Sequence, residues 1–151
     1  MTVSDLKFHK MQRSDIPVIA DLEKRFFSTP WSVSALENAV KNSAETFWVA
    51  TKGSDTVGYL GFMQGFESAD ILTVCIDPSY RGQGYGQAIL QFCLNQMQKD
   101  GVEKVFLEVR QSNMPARSMY EKSGFNYLNK RINYYKDPIE DAFVMVKELK
   151  R

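Results

Sequence analysis

One stretch restricts what this chain can fold into more than any other: "DILTVCIDPSYRGQGYGQAIL", residues 70–90. A nearly unbroken apolar run, of the kind expected for a central strand covered on both faces, stops at Pro78. Glycine then stands at 82, 84 and 86. A helical pattern follows from Tyr85 to Asp100, with Ile89, Phe92, Cys93 and Met97 on one face and Gly101 as the stop. A strand, a glycine turn and a helix N-terminus in succession suit an anion. Backbone N–H groups from Gly82 to Gln87 point into one concavity, the helix dipole adds to them, and glycine lets the backbone come close. A pyrophosphate fits such a site; a plain connecting turn fits the loop equally well.

Two familiar phosphate loops are excluded. The NTPase pattern GxxxxGK[ST] needs a lysine for the terminal phosphates, and none is supplied here. The dinucleotide pattern GxGxxG fails as well. Its third glycine position falls on Gln87 when counted from Gly82 and on Ile89 when counted from Gly84.

The flanking sequence frames the segment in a mixed α/β chain. A short apolar-alternating start (Leu6, Phe8) precedes a helix with Ser14 or Asp15 as cap, Pro17 in its first turn, and Ile16, Ile19, Leu22 and Phe26 at helical spacing. "SVSALENAVKN" predicts a second helix capped by Ser32 or Ser34, and "TFWVAT" and "TVGYLGFMQGF" a hairpin around "KGSD". After the glycine loop and its helix come a strand "KVFLEVR", a short helix capped by Asn113 with Pro115 in its first turn, and a closing strand pair around "KDPIED". The expected order is strand, two helices, three antiparallel-type strands, helix, strand, helix, two strands. Only the segment around the glycines reads as a parallel crossover.

At 151 residues, with no linker or repeat, one domain over 1–151 is expected. A net charge of +1 offers no general attraction to nucleic acid or an anionic membrane, and neither is expected as a partner. Cys75 and Cys93 sit among apolar neighbours and read as reduced thiols, which with the missing apolar signal core predicts a cytoplasmic protein. A single histidine, His9, leaves metal catalysis almost without ligands and reads as structural.

"VCIDPSYRGQGYGQAIL" carries the pattern [R/Q]-x-x-G-x-[G/A] after a strand ending in Asp-Pro, and "LEVRQSNMPARSMYEKSGF" a strand followed by S-N-x-x-A-x-x-x-Y-x-x-x-G-F. Together they resemble the GCN5-related N-acetyltransferase (GNAT) superfamily, and the resemblance runs through essentially the whole chain. It implies a mixed, mostly antiparallel sheet of about seven strands with flanking helices and a central parallel crossover. "FFSTPWS", "RINYY" and "EDAFVM" further resemble the RimI-type ribosomal-protein-alanine N-acetyltransferases. Thr73, where that branch often has asparagine, and Ser68, where an acid is common, depart from it and bear on substrate preference.

The resemblance implies acetyl-CoA as co-substrate, with no metal, and a protein N-terminal amine as acceptor, foremost the N-terminal alanine of small-subunit ribosomal protein eighteen. A lysine, polyamine or aminoglycoside acceptor is the alternative within that chemistry, and a non-catalytic acyl-CoA-binding module the alternative outside it. The implied cofactor-binding residues are the backbone of Val74, Cys75 and Ile76 beside the pantetheine, the loop Arg81, Gly82, Gln83, Gly84, Tyr85, Gly86 and Gln87, and Asn113 and Tyr120. Glu108 shares a strand face with Phe106, opposite Val105, Leu107 and Val109; a carboxylate there is either paired, with Arg110, Arg117 or a lysine, or functional. The resemblance makes it the base, acting through water. Tyr120, two helical turns after Asn113, becomes the acid for the leaving thiolate. Trp31, Tyr134 and Tyr135 are expected as walls of a peptide pocket, and Glu140 and Asp141 either as attractors of a basic peptide end or, more often for such a pair, as a solvated turn. Cys75 has no histidine near it in sequence, which favours direct attack over an acyl-cysteine route.

Overall fold

The computed structural model describes residues 5–42 and 44–149; residues 1–4, 43, 150 and 151, with both ends of the expected domain, lie outside the described residues. The elements are β1 (Lys7–Lys10), α1 (Ile16–Phe26), α2 (Val33–Lys41), β2 (Glu45–Lys52), β3 (Asp55–Gln64), β4 (Ser68–Ile76), α3 (Tyr85–Lys99), β5 (Lys104–Arg110), α4 (Met114–Lys122), β6 (Asn126–Tyr135) and β7 (Glu140–Glu148). Their order is the predicted one. The caps follow the local chemistry. Ser32 Oγ accepts from Ala35 N at 3.1 Å, and Asn113 Oδ1 from Ala116 N at 3.2 Å. Asp15 stands at the N-cap of α1, but its carboxylate turns back to accept from Gln12 N at 2.8 Å and to meet His9 Nε2 at 2.9 Å.

The strands form one seven-stranded sheet in the order β1-β2-β3-β4-β5-β7-β6, with β4–β5 its parallel pair. Helix α3 covers one face, where Ile89, Leu90, Cys93, Leu94 and Met97 pack on Leu60, Phe62, Ile71, Val105 and Leu107. On the other face α1 and α2 bring Ile16, Ile19, Leu22 and Leu36 against Phe47, Val49, Tyr59 and Cys75. Phe26, expected on the buried stripe of α1, is instead 40% exposed; its ring carries the guanidinium of Arg81 at 4.4 Å.

Two features of β4 prepare the site. Gly61 pairs with Thr73 but Phe62 with Ile71, so Leu72 is an extra residue in β4 and the strand bulges there. Ile71, Thr73 and Cys75 are buried while Leu72, Val74 and Ile76 are half-buried, so the strand is not closed over on both faces as its apolar run suggested. The β4–β5 ladder also stops early. It runs from Ser68↔Lys104 to Asp70↔Phe106, although β4 continues to Ile76 and β5 to Arg110. Past that point the two strands diverge.

Candidate active site

The divergence of β4 and β5 opens a cleft of about 780 Å³ between β4, the N-terminus of α3 and helix α4. Its lining includes Val74, Cys75, Ile76, Arg81, Gly82, Gly84, Tyr85, Gly86, Gln87, Asn113 and Tyr120, all expected at a coenzyme site, and also Phe26, Phe27, Tyr80, Ala116 and Met119. Gly82 and Gly84 take the left-handed backbone, with φ of +76° and +85°, which lets the turn lead directly into α3. Gly86 has a different use: a Cβ there would stand 3.0 Å from Met119 Sδ, so its bareness brings α3 against α4.

The loop is braced by its own side chains. Arg81 Nε donates to Ile76 O at 2.9 Å, Tyr80 Oη donates to Asp55 Oδ2 at 2.6 Å, and Asp77 Oδ1 accepts from Ser79 N at 2.9 Å. Tyr85 is a core residue more than a ligand group, 1% exposed with its ring edge-on to Tyr80. Gln83 is not part of the lining, and its Oε1 is buried without a hydrogen-bond partner among the described residues. Asn113 Oδ1 serves the α4 cap, which leaves its amide nitrogen as the atom able to donate into the cleft.

Tyr120 is buried against Phe125, and burial pushes its phenol up to about 12. Glu108 departs from expectation twice. It is partly exposed, at 32% of its side chain, and its ion-pair partner is none of Arg110, Arg117 or a lysine but Arg131 of β6, whose Nη1 donates to Oε2 at 2.9 Å. Periodicity hid that partner because β6 reaches Glu108 only across β7. Tyr135 joins the two candidates: burial and then the charge of Glu108 hold its phenol well above the ordinary range, with Tyr120 a smaller contributor. Tyr134 meets Tyr135 edge-on at 5.1 Å and carries Arg131 on its ring. Trp31 packs edge-on against Phe47 and sits apart from that aromatic pair.

The remaining acids are engaged internally. Glu140 Oε2 accepts from Ser112 N at 2.6 Å and Oε1 from Arg110 Nη1 at 3.2 Å; these bonds hold its carboxyl below the usual range. Asp141 accepts from Asn133 N and pairs with Lys130. Both acids, expected either to attract a basic peptide or to sit as a solvated turn, open β7 beside the β6–β7 turn and are engaged within the chain.

Two residues that sequence reasoning missed organise the same region. Arg110 Nη1 donates to Pro138 O and Glu140 Oε1, Nη2 donates to Lys136 O and Ser28 Oγ, and the guanidinium lies over the Tyr135 ring. It thus fastens the β6–β7 turn to the α1–α2 connection. Glu23 is 1% exposed and hydrogen-bonds Trp31, Tyr59 and Thr73. Its signal was available, since 16, 19, 23 and 26 form one helical stripe and the acid stands within it. Cys75, beside this group, has its thiol pushed up by burial, the wrong direction for a nucleophile. No cluster of metal-ligating side chains exists among the described residues.

Comparison with known proteins agrees with this architecture. The chain is 31% identical over 139 residues to the [ribosomal protein bS18]-alanine N-acetyltransferase of Escherichia coli K12, covering 89% of this chain and 92% of that one. The crystal structure of the ribosomal-protein-S18-alanine N-acetyltransferase from Escherichia coli superposes with a TM-score of 0.87 at 28% identity, over 97% of this chain and 95% of that one. Spermidine N-acetyltransferase from Vibrio cholerae, solved with CoA and spermine, shares the fold at a TM-score of 0.83 and 20% identity, over 96% of each chain. The acetyltransferase (GNAT) family profile matches residues 16–125, and the chain belongs to that family.

Proposed function

We propose that this chain moves the acetyl group of acetyl-CoA to a protein N-terminal α-amine, foremost the N-terminal alanine of ribosomal protein bS18. The observation that carries the reading is the parting of β4 and β5, beside which the cleft lined by the glycine loop reaches Tyr120; Glu108 stands on the unpaired part of β5, outside that lining. The likeness to bacterial bS18-alanine acetyltransferases supports the acceptor. In this reading the pyrophosphate lies on the amides at the start of α3, and the pantetheine runs along Val74, Cys75 and Ile76.

The chemistry follows from the residues. An α-amine, with a pKa near 8, is partly neutral at physiological pH, whereas lysine near 10.4 is not, so a modest base is enough. Glu108 takes the amine proton through a water as nitrogen attacks the thioester carbon. A backbone N–H of the splayed β4 faces the developing oxyanion. The carbon–sulfur bond breaks, and Tyr120 gives its proton to the departing thiolate.

The test is turnover with acetyl-CoA and two peptides, one with a free N-terminal alanine followed by basic residues, the other blocked at its N-terminus and carrying an internal lysine. Thiol release is recorded and the acetyl group located by mass spectrometry. Acetyl on the α-amine alone, with Glu108→Gln lowering kcat about 100-fold or more, is the expected result. Acetyl on lysine alone, or unchanged turnover in Glu108→Gln, overturns the assignment.

A further inference from the structure

Glu23 of α1 is buried beside β4, whose Thr73 it bonds. Its carboxylate is almost wholly buried, at 1% exposure, and its hydrogen-bond partners among the described residues are neutral. Oε1 accepts from Trp31 N at 3.0 Å, and Oε2 accepts from the hydroxyls of Tyr59 and Thr73, both at 2.7 Å. A buried acid without a cation is costly, and an apolar residue at 23 would continue the α1 stripe of Ile16 and Ile19 with no such cost. Helix packing therefore does not account for the acid.

Its partners do. Trp31 lies near the end of the α1–α2 connection, Thr73 adjoins the β4 bulge, and Tyr59 pairs across β3–β4 with Cys75, a cleft residue. The other end of the connection is held by Arg110, whose Nη2 donates to Ser28 Oγ at 2.9 Å. The connection is thus tied at Ser28 to Arg110 at the end of β5, and at Trp31 through Glu23 to Thr73 of β4. Thr73, the departure from the RimI-like pattern, is itself one of the three donors.

We infer that Glu23 is a positioning residue for acceptor selection: it fixes the Trp31 end of the α1–α2 connection to β4 and so sets which peptide N-termini fit against it. This rests on the peptide acetyltransfer reading above. Glu23→Gln keeps the shape but turns one acceptor oxygen into a donor, so either Trp31 N or the two hydroxyls lose their acceptor. Thr73→Val removes a single donor at constant shape.

The experiment uses the full chain, acetyl-CoA, and two peptides identical except for alanine or leucine at the first position. In Glu23→Gln the peptide KM rises about tenfold. The alanine-to-leucine ratio of kcat/KM falls at least about fivefold, and the acetyl-CoA KM stays within about twofold. Thr73→Val moves the same quantities less. A purely structural glutamate would lower the active fraction and leave the ratio in place, and an unchanged ratio overturns the inference. If Glu23→Gln does not fold, an unchanged ratio in Thr73→Val overturns it equally. A wild-type protein that acetylates neither peptide overturns the reading beneath it.

Discussion

Tyr120→Phe isolates a single proton. Tyr120 is 7% exposed, its ring stands edge-on to Phe125 at 5.8 Å, and its hydroxyl has no hydrogen-bond partner among the described residues although the residue lines the cleft. Phenylalanine fills the same space, so stability at neutral pH should change by less than about 1 kcal/mol. Burial raises the phenol from 10.0 to about 12, so its ionised form is disfavoured. Such a group stays protonated through the working range, so in the proposed reading the proton for the departing thiolate is present there. A raised folded-state pKa means stability is complete below about pH 10 and lost as pH rises through about 12; the phenylalanine variant lacks that loss. As general acid the group contributes about 10²- to 10⁴-fold, so kcat should fall at least about 100-fold with the acetyl-CoA KM little changed. Thiol release at saturating acetyl-CoA across pH 6 to 10.5, with melting curves at both ends, tests this. Refutation would be a variant keeping more than a third of wild-type kcat, or a wild-type kcat limb descending near pH 10 that the variant loses.

Other perturbations separate the remaining parts. Gly84→Ala places a side chain at φ +85°, and the left-handed strain should cost about 1–2 kcal/mol in urea unfolding while weakening acetyl-CoA binding. Cys75→Ser should keep kcat within about threefold, because a buried thiol pushed upward is not an acyl carrier; abolished turnover would restore a covalent route. Arg110→Lys replaces a fork reaching Ser28, Lys136, Pro138 and Glu140 by a point charge. The peptide KM should rise about tenfold with acetyl-CoA binding intact, and amide exchange in 28–31 and 136–140 should quicken.

The order of elements was legible because each carries its own local signal. Ser32 and Asn113 cap the helices that their spacing predicted, and Gly84 starts α3 where the glycine pattern placed the turn. That these residues would line one cleft was legible for the same reason, since they form one contiguous strand–loop–helix with a nearby second helix. The acceptor side was not. Arg131 meets Glu108, and Arg110 meets Ser28, across separations of 23 and 82 residues, and no periodicity encodes such pairs. The β4 bulge was equally hidden, since one extra residue in a uniformly apolar run leaves the pattern unchanged while exchanging the faces of everything after it.

Those long-range pairs also weigh on the choice of acceptor. A site for a small polycation needs uncompensated acids facing the amine. Here Glu108 is paired with Arg131, Glu140 with Arg110 and Asp141 with Lys130, while Glu23 is bonded to three donors beneath the surface. These four acids are thus engaged within the protein, Glu140 beside the β6–β7 turn and Glu23 at the α1–α2 connection. In the proposed reading, Tyr134, Tyr135 and Trp31 beside these braced segments serve as aromatic walls for the acceptor. An extended chain end can use such walls through its own backbone and first side chain, whereas a polyamine has charge to satisfy and little else to offer. The likeness to the spermidine acetyltransferase, at 20% identity, bears on the fold and not on the acceptor.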